Sequence, residues 1–369
     1  MLSTIFETTA FPEFTLGNLV MIGIALLLLY IAVDRDVEPI LLVPIAFGII
    51  LGNIPVSKTG IVSEGSFLYY IKKGLELGIY PPLVFLGVGA LTDFSFMMSS
   101  PITIFLGAAA QMGIFFTFLV AKFLGFSLKQ AASIAIIGGA DGPTAIFTAT
   151  TLAPELVAPV AISAYSYIAL IPVLQPIASK LLTSKEERAI RMSPPRHVTR
   201  FERLMFPIVV TILSAVFVPK SLVLVGPLML GNFLREVGTV KRLVEAAGRY
   251  ILDTATILLM LSVGVKAQAD TFLTPESLKI FFLGATAFFV SLSSGILFAK
   301  LMNLFLKEKI NPLIGAAGVS AVPNAARVAQ RLAHEVDHQN FILMHAMGPN
   351  VAGVIGSAVV AGVFMTFLS

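Results

Sequence analysis

The chain has 369 residues, of which 57% are hydrophobic and 12% charged, against about 45–50% and about 25% in an average soluble domain. That composition excludes a water-soluble globular protein and points to a polytopic membrane protein. Cysteine is absent, which removes disulfides, thiolate metal sites and cysteine nucleophiles together. The net charge of +4 is carried mainly in connecting loops, where it reads as a topology signal rather than a nucleic-acid footprint.

Taken in chain order, apolar stretches of the length a helical span needs, about 17–25 residues, occur at 15–33, 101–121, 156–182, 279–306 and 341–368. The first basic residue is Arg35, so the charged leader of a cleavable signal peptide is missing and the first stretch is expected to be retained as a span. The chain also resembles itself. Leu51-Gly52-Asn53 recurs as Leu230-Gly231-Asn232, and Phe85-Leu86-Gly87-Val88-Gly89 as Met260-Leu261-Ser262-Val263-Gly264. Ala140-Asp141-Gly142-Pro143-Thr144-Ala145 matches Ser320-Ala321-Val322-Pro323-Asn324-Ala325, and Leu152-Ala153-Pro154-Glu155 matches Leu332-Ala333-His334-Glu335. Four matches in one order at nearly constant spacing predict two halves, 1–182 and 204–369.

The linker between them, 183–203, carries Lys185, Arg188, Arg191, Arg196, Arg200 and Arg203, and the positive-inside rule places it in the cytoplasm. Each half offers five spans plus a short Gly/Pro-interrupted segment, read as a re-entrant hairpin. Five is odd, so the halves are expected to be inverted relative to each other. The basic loops around 235–249 and 307–309 then fall inside and the acidic loop with Asp270 and Glu276 outside, whereas Lys58, Lys72 and Lys73 land outside against the rule. One hairpin, bearing Asp141, is expected to enter from outside and the other, 311–327, from the cytoplasm, with their tips meeting.

Asp141 lies in the apolar run 134–147, with Gly138-Gly139 before it and Gly142-Pro143 after it. An ionisable group at membrane depth costs roughly 2.5–3.5 kcal/mol even on the lenient insertion scale, which makes it a functional-site candidate. Its flanks stop a helix and free backbone carbonyls to act as ligands. The bland reading is a carboxylate capping a broken helix at the membrane surface. The functional one is a site for a hard cation such as Na⁺, which carboxylate, hydroxyl and carbonyl oxygens suit; Thr144, one turn on, adds an oxygen. Tyr165 and Tyr167 stand in an otherwise apolar span, either as interface anchors or facing a polar partner.

The second interrupted segment carries Asn311, Gly315, Ser320, Asn324 and Arg327. Arg327 sits in an apolar pattern that reads as buried, and its guanidinium fork matches a carboxylate, either Asp141 or an anionic substrate; the alternative is an arginine snorkelling to the cytoplasmic face. His334-Glu335-Val336-Asp337-His338 fits the zinc-protease pattern, but it falls in a short polar loop and its glutamate recurs as Glu155 without histidines. The last span holds His345, Gly348-Pro349-Asn350, Gly353 and Gly356-Ser357. Small residues at that spacing allow close helix packing, and Asn350 could instead offer an oxygen to an ion.

Together, Gly138-Gly139-Ala140-Asp141-Gly142-Pro143-Thr144, Ala164-Tyr165-Ser166-Tyr167 and His345-Ala-Met-Gly-Pro-Asn350-Val-Ala-Gly353 resemble the β subunit of the sodium-pumping, biotin-dependent decarboxylases, over nearly the whole chain. Members serve oxaloacetate, methylmalonyl-CoA, glutaconyl-CoA and malonate-type decarboxylases. The resemblance implies a multi-pass protein of the prokaryotic inner membrane that decarboxylates carboxybiotin, delivered on a biotin carrier from a carboxyltransferase α subunit, while Na⁺ moves outward and a proton is consumed. It further implies an elevator-type fold with inverted repeats, a small single-span γ subunit and a homo-oligomer of β. The family's essential aspartate falls on Asp141 and its tyrosine, twenty-six residues on, at Tyr167 rather than Tyr165; its Asn, Gly, Ser and Arg set falls on Asn311, Gly315, Ser320 and Arg327. No role transfers to Asn324. On this basis Arg327, with Asn311, is expected to hold the carboxybiotin carboxylate. Na⁺ is expected at Asp141 and Thr144, and a second ion among Asn311, Gly315, Ser320 and Tyr167, with Asp141 or Tyr167 relaying the proton. The residues alone fit a stand-alone Na⁺-coupled organic-anion symporter equally well; only the family motifs separate the two.

Overall fold

The computed structural model describes residues 9–55 and 59–369, so Lys58 lies outside the described residues. All regular elements among them are helical. In order, the principal ones are α1 (Leu16–Asp34), α2 (Pro39–Asn53), α3 (Phe67–Glu76), α4 (Tyr80–Leu91), α5 (Ile104–Ala110), α6 (Met112–Phe123), α7 (Leu128–Ala135), α8 (Gly142–Leu152), α9 (Val157–Ala169) and α10 (Ile171–Leu182). After the linker come α11 (Arg200–Phe217), α12 (Leu222–Val237), α13 (Leu252–Lys266), α14 (Pro275–Met302), α15 (Leu313–Ala316), α16 (Asn324–His334) and α17 (Leu343–Leu368). Among the described residues five helices are long and apolar enough to cross a membrane, and two bent pairs, α3–α4 at 72° and α9–α10 at 64°, raise the number to as many as seven.

The bends follow from local chemistry. Gly78, at φ +68°, ends α3 and Pro81-Pro82 opens α4, while Pro172 starts α10 immediately after the bend at Leu170. The α3 segment is charged as well as apolar: Lys73 pairs with Glu76 at 3.8 Å, and Lys266 from α13 reaches the same carboxylate at 3.6 Å. Lys72 and Lys73 thus belong to a short helix set off from the span that follows.

The recurring Leu-Gly-Asn and Val-Gly motifs meet each other crosswise. Helix α2 packs on α13, and α12 packs on α4. A Cβ on Gly264 would lie 2.1 Å from the Ile45 carbonyl, and one on Gly89 1.9 Å from the Leu228 carbonyl, so both crossings demand glycine. Close backbone approach of this kind drives helix association where lipid removes the hydrophobic force. Each motif asparagine then caps the partner helix. Asn53 donates to Ala267 O at 2.8 Å and accepts from Ala269 N at 3.0 Å, and Asn232 donates to Thr92 O at 3.2 Å.

The linker is folded back rather than extended. Arg191 grips Asp337 with two bonds of 2.7 and 3.1 Å, and Arg196 grips Glu202 with bonds of 2.7 and 3.2 Å. Arg200 and Arg203 belong to the first turn of α11, whose start is fixed by a capping box between Thr199 and Glu202.

Candidate functional site

Helix α7 runs into a tight turn at Ile136–Gly139, and Ala140, at φ +55°, reverses the chain so that Asp141 becomes the N-cap of α8. Asp141 Oδ1 accepts from the Thr144 N–H at 3.1 Å, satisfying one of the free donors of that helix end. The capping role is therefore real, but its place is interior: Asp141 is 5% exposed. Its Oδ2 accepts from Ser357 Oγ at 2.6 Å and from Ser320 Oγ at 3.1 Å. Ser357 also lies 3.0 Å from Val354 O, and the shorter contact to the carboxylate holds its one proton. The Ser320 N–H donates to Gly139 O at 3.0 Å. The tips of the two interrupted segments thus touch, with α17 closing the third side.

A cavity of about 360 Å³ opens over Asp141, with Glu38, Tyr165, Asp253, Thr256, Ser320 and Asn324 among its polar walls. A second, of about 580 Å³, is lined by Arg35, Asp36, Glu38, Ser166 and Asn324. Glu38 and Asn324 border both, and Asn324 Nδ2 donates to Glu38 Oε1 at 2.6 Å between them. Glu38 precedes α2 in the left-handed region, at φ 44° and ψ 51°, and its side chain caps nothing, which leaves it free to bridge.

The structure distributes the sequence-expected residues unevenly. Asp141, Thr144 and Ser320 come together; Thr144 is fully buried and its hydroxyl has no hydrogen-bond partner. Tyr167 points elsewhere, donating to Phe281 O at 2.6 Å with its ring 5.7 Å from Phe288. Asn311 is spent on the linker: its Nδ2 donates to Arg188 O at 2.8 Å and Ile190 O at 2.9 Å, and its Oδ1 accepts from Leu313 N at 3.0 Å. Gly315 is a packing glycine, where a Cβ would lie 2.1 Å from Gly295 O.

Arg327 corrects the expectation of burial. It is exposed on α16, because the apolar residues around it, Ala325, Ala326, Val328 and Ala329, occupy the buried face, and it does not contact Asp141, whose partners are hydroxyls and one amide. Asn350 pins the chain between α15 and α16, with Nδ2 at 2.9 Å from Ala317 O and 2.6 Å from Val319 O, while its Oδ1 is buried without a partner. The histidine motif is tied into surface ion pairs: Glu335 meets Lys180 at 2.8 Å, and Asp337 is held by Arg191.

Four residues of the site escaped sequence reasoning. Ser357 sits among glycines and alanines that read as packing, Glu38 sits among charged loop residues, Asp253 falls in the first turn of the otherwise apolar α13, and Asn324 stands where the repeat has Thr144. That last alignment was the available signal for Asn324; the others are joined to Asp141 only by tertiary folding.

Residues 17–368 match the family model of the Na⁺-transporting oxaloacetate decarboxylase beta subunit. Methylmalonyl-CoA decarboxylase subunit beta of Propionigenium modestum is 50% identical over 386 aligned residues, covering 98% of this chain and 97% of the relative. Glutaconyl-CoA decarboxylase subunit beta of Acidaminococcus fermentans is 47% identical over 367 residues, with 100% and 97% coverage. The oxaloacetate decarboxylase beta chain of Klebsiella pneumoniae is 44% identical over 412 residues, with 95% of each chain covered. A near-complete match at this identity, on an all-helical chain with several spans and a buried carboxylate, agrees with the motif-based resemblance. The chain belongs to the β-subunit family of the Na⁺-transporting, biotin-dependent decarboxylases, multi-pass subunits of the prokaryotic inner membrane that couple carboxybiotin decarboxylation to Na⁺ transport.

Proposed function

We propose that Asp141 is the carboxylate that Na⁺ and a proton occupy in turn, and that this exchange couples decarboxylation to outward Na⁺ movement. The observation that carries the reading is the anchoring of one buried carboxylate by Ser320 and Ser357 at the junction of two interrupted segments. Oxygen donors around a single negative charge suit a hard monovalent cation. Carboxybiotin supplies an N-carboxylate whose C–N bond breaks to release CO₂, leaving a nitrogen that takes up one proton. Arg327, exposed and forked, binds the carboxylate at a surface a bulky carrier can reach. Its spacing of three residues from Asn324 puts both on one face of α16, and Arg331, one turn further, donates to Pro172 O at the wall of the larger cavity. The path then runs from Arg327 through that cavity, past Glu38 and Asn324, to Asp141. Asp141 releases Na⁺, holds a proton from the outer side, and yields it toward the reaction; two cations competing for one charge are coupled by necessity.

The same reading assigns the architecture. Residues 1–182 and 204–369 form two inverted repeats joined by the basic cytoplasmic segment 183–203, and the interrupted segments move as the carrier of an elevator against the crossed helices α2, α4, α12 and α13. Crosswise packing of matching motifs supports it. The subunit works with a carboxyltransferase α subunit, a biotin carrier, a single-span γ subunit and further copies of itself. Helix α1, with only 17% of its apolar window buried, offers a face for such a neighbour. Asp141→Asn in the assembled complex, reconstituted in vesicles, is expected to abolish Na⁺ uptake driven by decarboxylation. Uptake that persists in this variant overturns the proposal.

A further inference from the structure

Tyr165 and Tyr167 lie two residues apart on α9, and the chain treats them in opposite ways. The Tyr167 hydroxyl is satisfied by Phe281 O at 2.6 Å. Tyr165 is 2% exposed, and its hydroxyl is buried with no hydrogen-bond partner. A buried polar atom left unpaired is uncommon in native interiors and calls for an unseen ion, water or ligand. This one borders the cavity over Asp141. Its ring end rests on Gly142, the residue after Asp141: a Cβ built there would lie 2.2 Å from Tyr165 Cζ and 2.4 Å from its Oη. Only glycine leaves that space open, so the backbone at Gly142 is shaped to admit the Tyr165 hydroxyl into the cavity that Asp141 also lines.

Two further oxygens face the same need. Asp141 Oδ2 already accepts two hydroxyls, whereas Oδ1 accepts only the Thr144 N–H and keeps lone-pair capacity. The Thr144 hydroxyl is itself buried and unpartnered. We infer that Tyr165, rather than Tyr167, supplies the neutral phenolic oxygen that completes the cation site of Asp141, binding Na⁺ together with Asp141 and Thr144. This rests on Asp141 being the Na⁺ carboxylate, and the test separates the two claims.

The intact decarboxylase complex is titrated with Na⁺ while two quantities are read: the decarboxylation rate and the protection of the complex against heat, which reports binding without turnover. Tyr165→Phe keeps the ring and gives up no hydrogen bond, so it is expected to fold. It is expected to raise the Na⁺ concentration at half-effect about tenfold in both titrations, the change that losing one good ligand brings. Gly142→Ala, which pushes the hydroxyl away while leaving it in the chain, is expected to shift both midpoints in the same direction. Asp141→Asn is expected to remove Na⁺-dependent protection altogether. Protection that survives in Asp141→Asn overturns the reading of Asp141. Protection lost in Asp141→Asn but moved less than about threefold by Tyr165→Phe leaves that reading standing and overturns the role of Tyr165, even where the maximal rate falls.

Discussion

Among the described residues no cation meets Asp141: its oxygens accept from two hydroxyls and one backbone N–H. Such a shell steadies a carboxylate without neutralising it, which is the condition for a transported cation to bind and leave. Of the two hydroxyls, Ser357 is the nearer, at 2.6 Å against 3.1 Å for Ser320. A hydrogen bond to a charged group contributes about 1.5–3 kcal/mol, so Ser357→Ala is expected to raise the Na⁺ half-saturation of decarboxylation at least about tenfold, and Ser320→Ala less. Na⁺ titration of the initial rate measures both. Asp141 was legible from sequence because a carboxylate in an apolar run flanked by helix breakers contradicts its surroundings. Ser357 was not, since a serine at a small-residue spacing fits the packing reading as well. Arg327 misled for a related reason: an arginine between alanines and valine looks buried along the sequence, but the helix places those residues on one face and Arg327 outside it.

At the scale of elements, the crossings of α2 with α13 and of α4 with α12 depend on glycines facing carbonyls. The internal repeat exposed the motifs that do this, yet not that each motif contacts the other half, because contacts between positions 140 to 216 residues apart leave no local pattern. The Asn53 and Asn232 caps were likewise invisible until the partner helices were in place. These close contacts make a sharp contrast testable between two helical glycines. Gly89→Ala places a methyl 1.9 Å from the Leu228 carbonyl, whereas a Cβ on Gly23 of α1 meets no side chain and no other helix within 4 Å. Overpacking of this kind destabilises by about 1–3 kcal/mol; replacing an open helical glycine by alanine is neutral or stabilising by up to about 1 kcal/mol. Thermal unfolding of the two variants in detergent is expected to order them Gly89→Ala below the parent and Gly23→Ala at or above it.

Across the whole molecule, Glu38 and Asn324 belong to different moving parts of the proposed elevator. Glu38 stands at the start of α2, which is locked onto α13 by the glycine crossing, while Asn324 starts α16, whose preceding turn carries Ser320 on Asp141. Their 2.6 Å hydrogen bond is therefore a tie between the crossed helices and the interrupted segments, made by two residues that line both cavities. If the interrupted segments carry Na⁺ across by sliding against the crossed helices, this tie breaks in every cycle; if the site is fixed and only side chains move, it need not. A chain without native cysteine allows the distinction to be made cleanly. Glu38→Cys and Asn324→Cys, joined in the assembled complex by a short cleavable reagent bridging two thiols, are expected to stop Na⁺ uptake into vesicles, with cleavage restoring the rate seen before bridging. Each single-cysteine variant treated in the same way controls for the loss of the hydrogen bond itself. Full uptake in the bridged double variant would require Na⁺ to pass Asp141 with the two parts fastened together, and the elevator movement would have to be abandoned for a fixed-site pathway.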